Sequence, residues 1–122
     1  MEKYYTLKGL ESIYLEDSFL INIEESNSQI SFITEIILLE SHPAYHPPKT
    51  GEQYCYRQGK IFFENLKSLK WLAKNLKFTV DINGSKDLGN IDVFTYINDE
   101  YYLEGDWGEV KITSSPPRLI WG

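Results

Sequence analysis

Over residues 12–24 apolar and polar positions alternate, with Ile13, Leu15, Phe19, Ile21 and Ile23 on one side and Glu16, Ser18, Asn22 and Glu24 on the other. A period of two is the mark of a strand that buries one face. Ser26, Asn27 and Ser28 then supply turn residues. Ile30, Phe32, Thr34, Ile36 and Leu38 resume the period, while Ile33, Ile37 and Leu39 add apolar positions to the second face. The pair reads as a hairpin, and its second strand, apolar on both sides near its end, is expected inside a sheet with both faces covered.

A further strand is expected over residues 54–63, interrupted at Gly59, where a missing side chain marks a bulge or a close approach. The run 66–76 fits two periods. Leu66, Leu69, Leu72, Ala73 and Leu76 share a helical face, whereas Leu69, Trp71 and Ala73 share a strand face, so a strand with a loop is preferred and one short helix is the alternative. Residues 81–90, with two glycines and two asparagines, read as a loop. A second hairpin follows: Ile91, Val93, Thr95 and Ile97 lead into Asn98, Asp99 and Glu100, and Tyr101, Leu103, Gly105 and Trp107 lead out. A short strand over 109–113 comes next, residues 114–117 stop pairing because proline has no amide proton, and Leu119, Ile120 and Trp121 form an apolar tail able to fold back. About seven or eight strands with turns at short intervals predict an all-β domain, an antiparallel β-sandwich or a partly open barrel.

Composition agrees with a single domain over residues 1–122. The chain is 42% hydrophobic and 25% charged, long enough to bury roughly two thirds of its unfolded surface without a disulfide or a metal. Nine tyrosines suit strands. The lone Cys55 cannot form an internal disulfide and the first residues contain no apolar leader, which makes the cytoplasm the expected compartment. The longest apolar run, 36–39, is far short of the roughly 20 residues of a membrane helix, so no membrane association is expected. A net charge of −6 disfavours nucleic acid and anionic lipid and favours a basic partner.

Candidate chemistry concentrates in residues 41–59, which hold three of the five prolines, both histidines, Cys55 and Arg57. His42 and His46 have the spacing of metal ligands on a helix, but Pro43, Pro47 and Pro48 oppose a helix there; no metal and no cofactor is expected. Cys55 lies between Tyr54 and Tyr56, where a small buried side chain is the ordinary role and a nucleophile the alternative. Asp17 falls on the apolar phase of its strand, so it either pairs with Arg57 or is turned to solvent by a bulge; lining a pocket is the functional alternative. Glu104 and Asp106 would stand about 7 Å apart on a strand, the separation of a glycosidase pair, but the flanking glycines point to a tight turn with Trp107 in the core.

The segments PPKTGEQYCYRQGKIFF and YYLEGDWGEVKITSSPPRL, with LEDSF near the front, resemble a family of small bacterial β-rich proteins over most of the chain from Tyr14 onward. The resemblance attaches no activity to particular residues. In size and acidity the chain is also similar in style to immunity proteins that neutralise toxins. The expected function is non-enzymatic: binding a basic protein partner by an acidic and aromatic surface drawn from Asp17, Tyr54, Tyr56, Arg57, Asp106 and Trp107. A small-molecule pocket in the sandwich or barrel, with Arg57 holding an anionic group, is the alternative, and a hydrolase the third reading. An exposed edge strand would permit self-association.

Overall fold

A computed structural model describes residues 1–80, 82 and 84–122. Its strands are β1 (Glu2–Lys3), β2 (Ile13–Glu25), β3 (Gln29–Leu38), β4 (Cys55–Glu64), β5 (Ser68–Lys74), β6 (Thr79–Val80), β7 (Lys86–Asp87), β8 (Val93–Ile97), β9 (Glu100–Gly105), β10 (Gly108–Thr113) and β11 (Arg118–Trp121). Eight of them run four residues or more, in line with the expected number. A five-stranded sheet has the order β1-β8-β9-β10-β5, a four-stranded sheet the order β11-β4-β3-β2, and β6 pairs with β7 alone. All described pairings are antiparallel. The two larger sheets face each other as an open sandwich. Phe32 of β3 meets Trp107 with ring centroids 5.6 Å apart, and Phe63 of β4 meets Tyr101 at 5.5 Å and Phe94 at 6.0 Å.

The ambiguous run 66–76 is a strand. β5 pairs along its length with β10, with a register shift that leaves Leu72 as an extra residue between Trp71 and Ala73, and Leu69 and Trp71 turn inward onto the core while Lys70 turns out, so tertiary pairing decides what period alone could not. Among the described residues the only helical turn is the three-residue 3₁₀ segment Tyr4–Thr6, and no helix is long and apolar enough to cross a membrane. The apolar tail is also a strand, since β11 pairs with residues 59–62 of β4. In the expected loop 81–90, Asp81 and Asn83 lie outside the described residues; within the remainder, Lys86 and Asp87 form β7.

β3 lies inside its sheet between β2 and β4, and Ile36, Ile37 and Leu38 are all buried, as the doubly apolar pattern requires. Asn98 and Asp99 form the two-residue turn between β8 and β9 with φ of 51° and 62°, a left-handed pair that matches strand twist and that asparagine and aspartate tolerate well. Gly59 makes no bulge. It sits opposite Trp121 of β11, and a Cβ there would stand 2.9 Å from the indole Cε3, so the missing side chain admits that ring.

β2 departs most from its simple alternation. Between the pairs Tyr14–Ile37 and Phe19–Glu35, four residues of β2, 15–18, stand against the single Ile36. Three extra residues reverse the phase, so Ser18 and Leu20 turn inward and Phe19, expected in the core, turns out. Ser18 is fully buried and repairs the ladder: its hydroxyl donates to the Tyr14 carbonyl at 2.5 Å and accepts the Ile37 amide at 2.9 Å. A second shift at Ile21 restores the phase, and Ile23 packs on the core. At this point the Leu20 amide donates to the Gly89 carbonyl at 2.8 Å and the Leu88 amide to the Leu20 carbonyl at 2.7 Å, which ties β2 to the segment arriving from the other sheet.

Candidate functional site

The outward turn of Phe19 builds a surface on the far side of the four-stranded sheet. β2 contributes Tyr14, Asp17 and Phe19, β3 contributes Glu35, and Tyr54 and Tyr56 come from the start of β4 and the residue before it. Phe19, 39% exposed, stacks on Tyr56 with centroids 6.1 Å apart, and Tyr54 meets the same ring edge-on at 6.1 Å. Asp17 and Glu52 are exposed. Their charges are felt by the phenols: Asp17 raises the Tyr14 hydroxyl above the ordinary tyrosine range, and Tyr56 is raised by burial first, then by Tyr54, Asp17, Glu52 and Glu35. Among the described residues none of these three carboxylates has an ion-pair partner.

Asp17 and Arg57 do not pair; the bulge turns Asp17 to solvent instead. Arg57 alternates with Tyr56 along β4 and so leaves on the opposite side of the sheet, where its guanidinium lies 4.8 Å from the centroid of Trp121. His42 stands edge-on to the same indole at 5.6 Å and accepts the Ala44 amide at Nδ1, 3.0 Å away; burial, then Arg57, lower its affinity for a proton. The proline-rich loop thus crosses one end of the four-stranded sheet. His46 is exposed with a ring nitrogen 3.0 Å from the Pro47 carbonyl, and Cys55 is buried in the core. Among the described residues no three His, Cys, Asp or Glu side chains are placed to hold a metal ion.

Asp106 and Trp107 belong to a different region, the turn joining β9 to β10. Asp106 is exposed, whereas Trp107 has no accessible surface and packs between Phe32 and Trp71, its indole N–H donating to the Asn90 carbonyl at 2.9 Å. The structure therefore brings Asp17, Tyr54 and Tyr56 together and separates Arg57, Asp106 and Trp107 from them. Tyr14, Phe19, Glu35 and Glu52 join the surface without having been singled out by sequence.

Carboxylates also crowd the outer face of the five-stranded sheet. Glu104 and Glu109 are directly opposed across β9 and β10, and the single phenolic proton of Tyr102 serves both, at 2.6 and 3.1 Å. Nearby, Tyr4 donates to Glu16 at 2.5 Å, and Asp92 holds its proton more tightly than usual because of burial and the charges of Asp106, Glu104 and Glu16. A cavity of about 370 Å³ lies between these groups, lined by Tyr4, Glu16, Asp92, Phe94 and Tyr102 among others. Another of about 260 Å³ is walled by Gly59, Lys60 and Trp121. Neither has Asp17 or Arg57 in its wall.

Both phenols are raised above the ordinary value of 10.0, Tyr4 and Tyr102 each by burial first and then by their carboxylate partners. A raised phenol favours folding only while it keeps its proton. Stability is therefore expected to hold below pH 10 and to fall above it, where the unfolded chain ionises and the folded chain resists. Urea midpoints measured from about pH 8 to 11 should drop, and Tyr4→Phe should flatten that slope. An unchanged slope in the variant would remove Tyr4 as its source.

Comparison with protein-family models, with curated proteins and with solved structures gives no match for this chain.

Proposed function

We propose that the chain is a non-enzymatic, cytoplasmic interaction protein that binds a basic protein partner through the aromatic and acidic surface around Tyr56. One observation carries this reading: a stacked aromatic pair, partly open to solvent, ringed by Asp17, Glu35 and Glu52, none of which forms an ion pair with a described residue, although Lys86 walls a cavity with Phe19 and Glu35. Tyrosine and phenylalanine give interface area at little entropic cost, and uncompensated carboxylates around them select for lysine or arginine on the opposing surface. The net charge of −6 adds long-range attraction for such a partner. Binding of a basic toxin domain, in the style of an immunity protein, is the form of this activity that the chain's size and sign suit; the resemblance to small bacterial β-rich proteins points to the same setting.

The test is capture from native cell lysate by the tagged full chain, at low and at moderate salt, with Tyr56→Ala and Asp17→Lys in parallel. A basic protein in near-stoichiometric amount, weakened by salt and by each substitution, is the expected result. Once the partner is in hand, Tyr56→Ala should weaken it by about 2 kcal/mol, some thirtyfold. Recovery of no basic protein, or binding of one that is indifferent to both substitutions, would overturn the reading.

A further inference from the structure

The average charge of the chain hides a strong asymmetry. Residues 67–77 hold Lys67, Lys70, Lys74 and Lys77 and no Asp or Glu, a local charge of +4, which leaves −10 on the remainder. This stretch contains β5, which ends the five-stranded sheet and so keeps one backbone edge without a neighbouring strand among the described residues. None of the four lysines forms an ion pair with a described residue, and Lys74 rests over the Trp71 ring at 4.8 Å. Beyond β5 the apolar residues Leu76, Phe78, Val80 and Ile82 recur at every second position and are all exposed, Phe78 by 52%, Val80 by 57% and Ile82 completely. With Leu72 they make up half of the large apolar side chains exposed among the described residues. Such a period ordinarily marks a face that something covers.

We infer that the open edge of β5, together with the apolar positions that follow it, receives an extended acidic segment of another protein as an added strand. Three observations select this occupant. The lysines complement carboxylates on the incoming strand. A second copy pairing through the same edge would set lysine rows against each other, which opposes self-association there. A lipid surface offers hydrocarbon but no partners for the unpaired amides and carbonyls of a strand edge, which a polypeptide supplies.

The experiment is selection of random linear peptides about ten residues long on the immobilised full chain, followed by affinity measurement with the enriched peptides. Peptides alternating Glu or Asp with Val, Ile or Phe are expected. Their binding should fall about tenfold or more in Lys70→Glu/Lys74→Glu, and also in Phe78→Ser, which keeps the charge and serves if the double variant does not fold. Four results would each overturn the inference: no enrichment, enrichment of basic peptides, a dimer of the full chain abolished by Phe78→Ser, or co-sedimentation with phosphatidylglycerol vesicles in place of peptide binding.

Discussion

Replacing Gly105 with alanine is expected to lower stability by about 4 kcal/mol, a large share of the roughly 5–15 kcal/mol that holds a small domain folded. A Cβ at this position would stand 2.2 Å from the Asn90 carbonyl oxygen and 2.3 Å from the Trp107 indole nitrogen, two atoms that are hydrogen-bonded to each other at 2.9 Å. Neither can step aside cheaply. Trp107 is enclosed between Phe32 at 5.6 Å and Trp71 at 6.0 Å, and Asn90 is anchored by its side-chain amide, which donates to the Ser18 carbonyl at 2.6 Å. Alanine must break the indole bond, leaving a buried donor unsatisfied, and must also shift the largest ring in the core. Each of these costs about 1–3 kcal/mol. The urea midpoint of Gly105→Ala, with indole fluorescence as the signal, checks the expectation; a midpoint close to that of the unaltered chain would show that the turn relaxes freely.

Ser18→Ala is expected to cost about 2–4 kcal/mol and to weaken the proposed binding of a basic partner as well. The buried hydroxyl gives its proton to the Tyr14 carbonyl and receives the Ile37 amide, so its loss leaves two backbone groups without partners in a place water does not reach. The same hydroxyl closes the bulge that carries Asp17 and Phe19 to the outer face. Chemical denaturation gives the stability term. Partner affinity, measured well below the unfolding temperature, tests the positioning role separately: lower stability with unchanged affinity would show that the surface does not depend on the bulge.

Much of the architecture was legible in the chain because strand period and turn chemistry are local. The β8–β9 turn follows from Asn98 and Asp99, and the interior place of β3 follows from apolar residues on both of its sides. The run 66–76 was not decidable locally, since its strand state is conferred by β10, far along the chain. The surface around Tyr56 was only half legible. Asp17 on an apolar phase announced either a partner or a bulge, and Leu20 on the polar phase of the same strand completes the sign of a phase reversal. Without it, simple alternation placed Phe19 in the core. Arg57 and Trp107 were grouped with Tyr56 by proximity in sequence or by residue type, whereas alternation along β4 and the depth of the β9–β10 turn carry them elsewhere.

The route of the chain between the two sheets bears on how the molecule assembles. β2, β3 and β4 follow one another as neighbours, as do β8, β9 and β10; short turns join β2 to β3 and all of the second trio, whereas β3 reaches β4 through the long loop 39–54. β5 and β11 do the reverse. Each leaves the trio before it to join the other sheet, pairing with β10 and β4 across long stretches of sequence. Closing such loops carries an entropic cost before any contact rewards it, so these two strands are set to dock late in folding and to fray early in unfolding. In amide exchange, β3 and β9 would form the slow-exchanging centre, with β5 and β11 as the outermost and least protected layer.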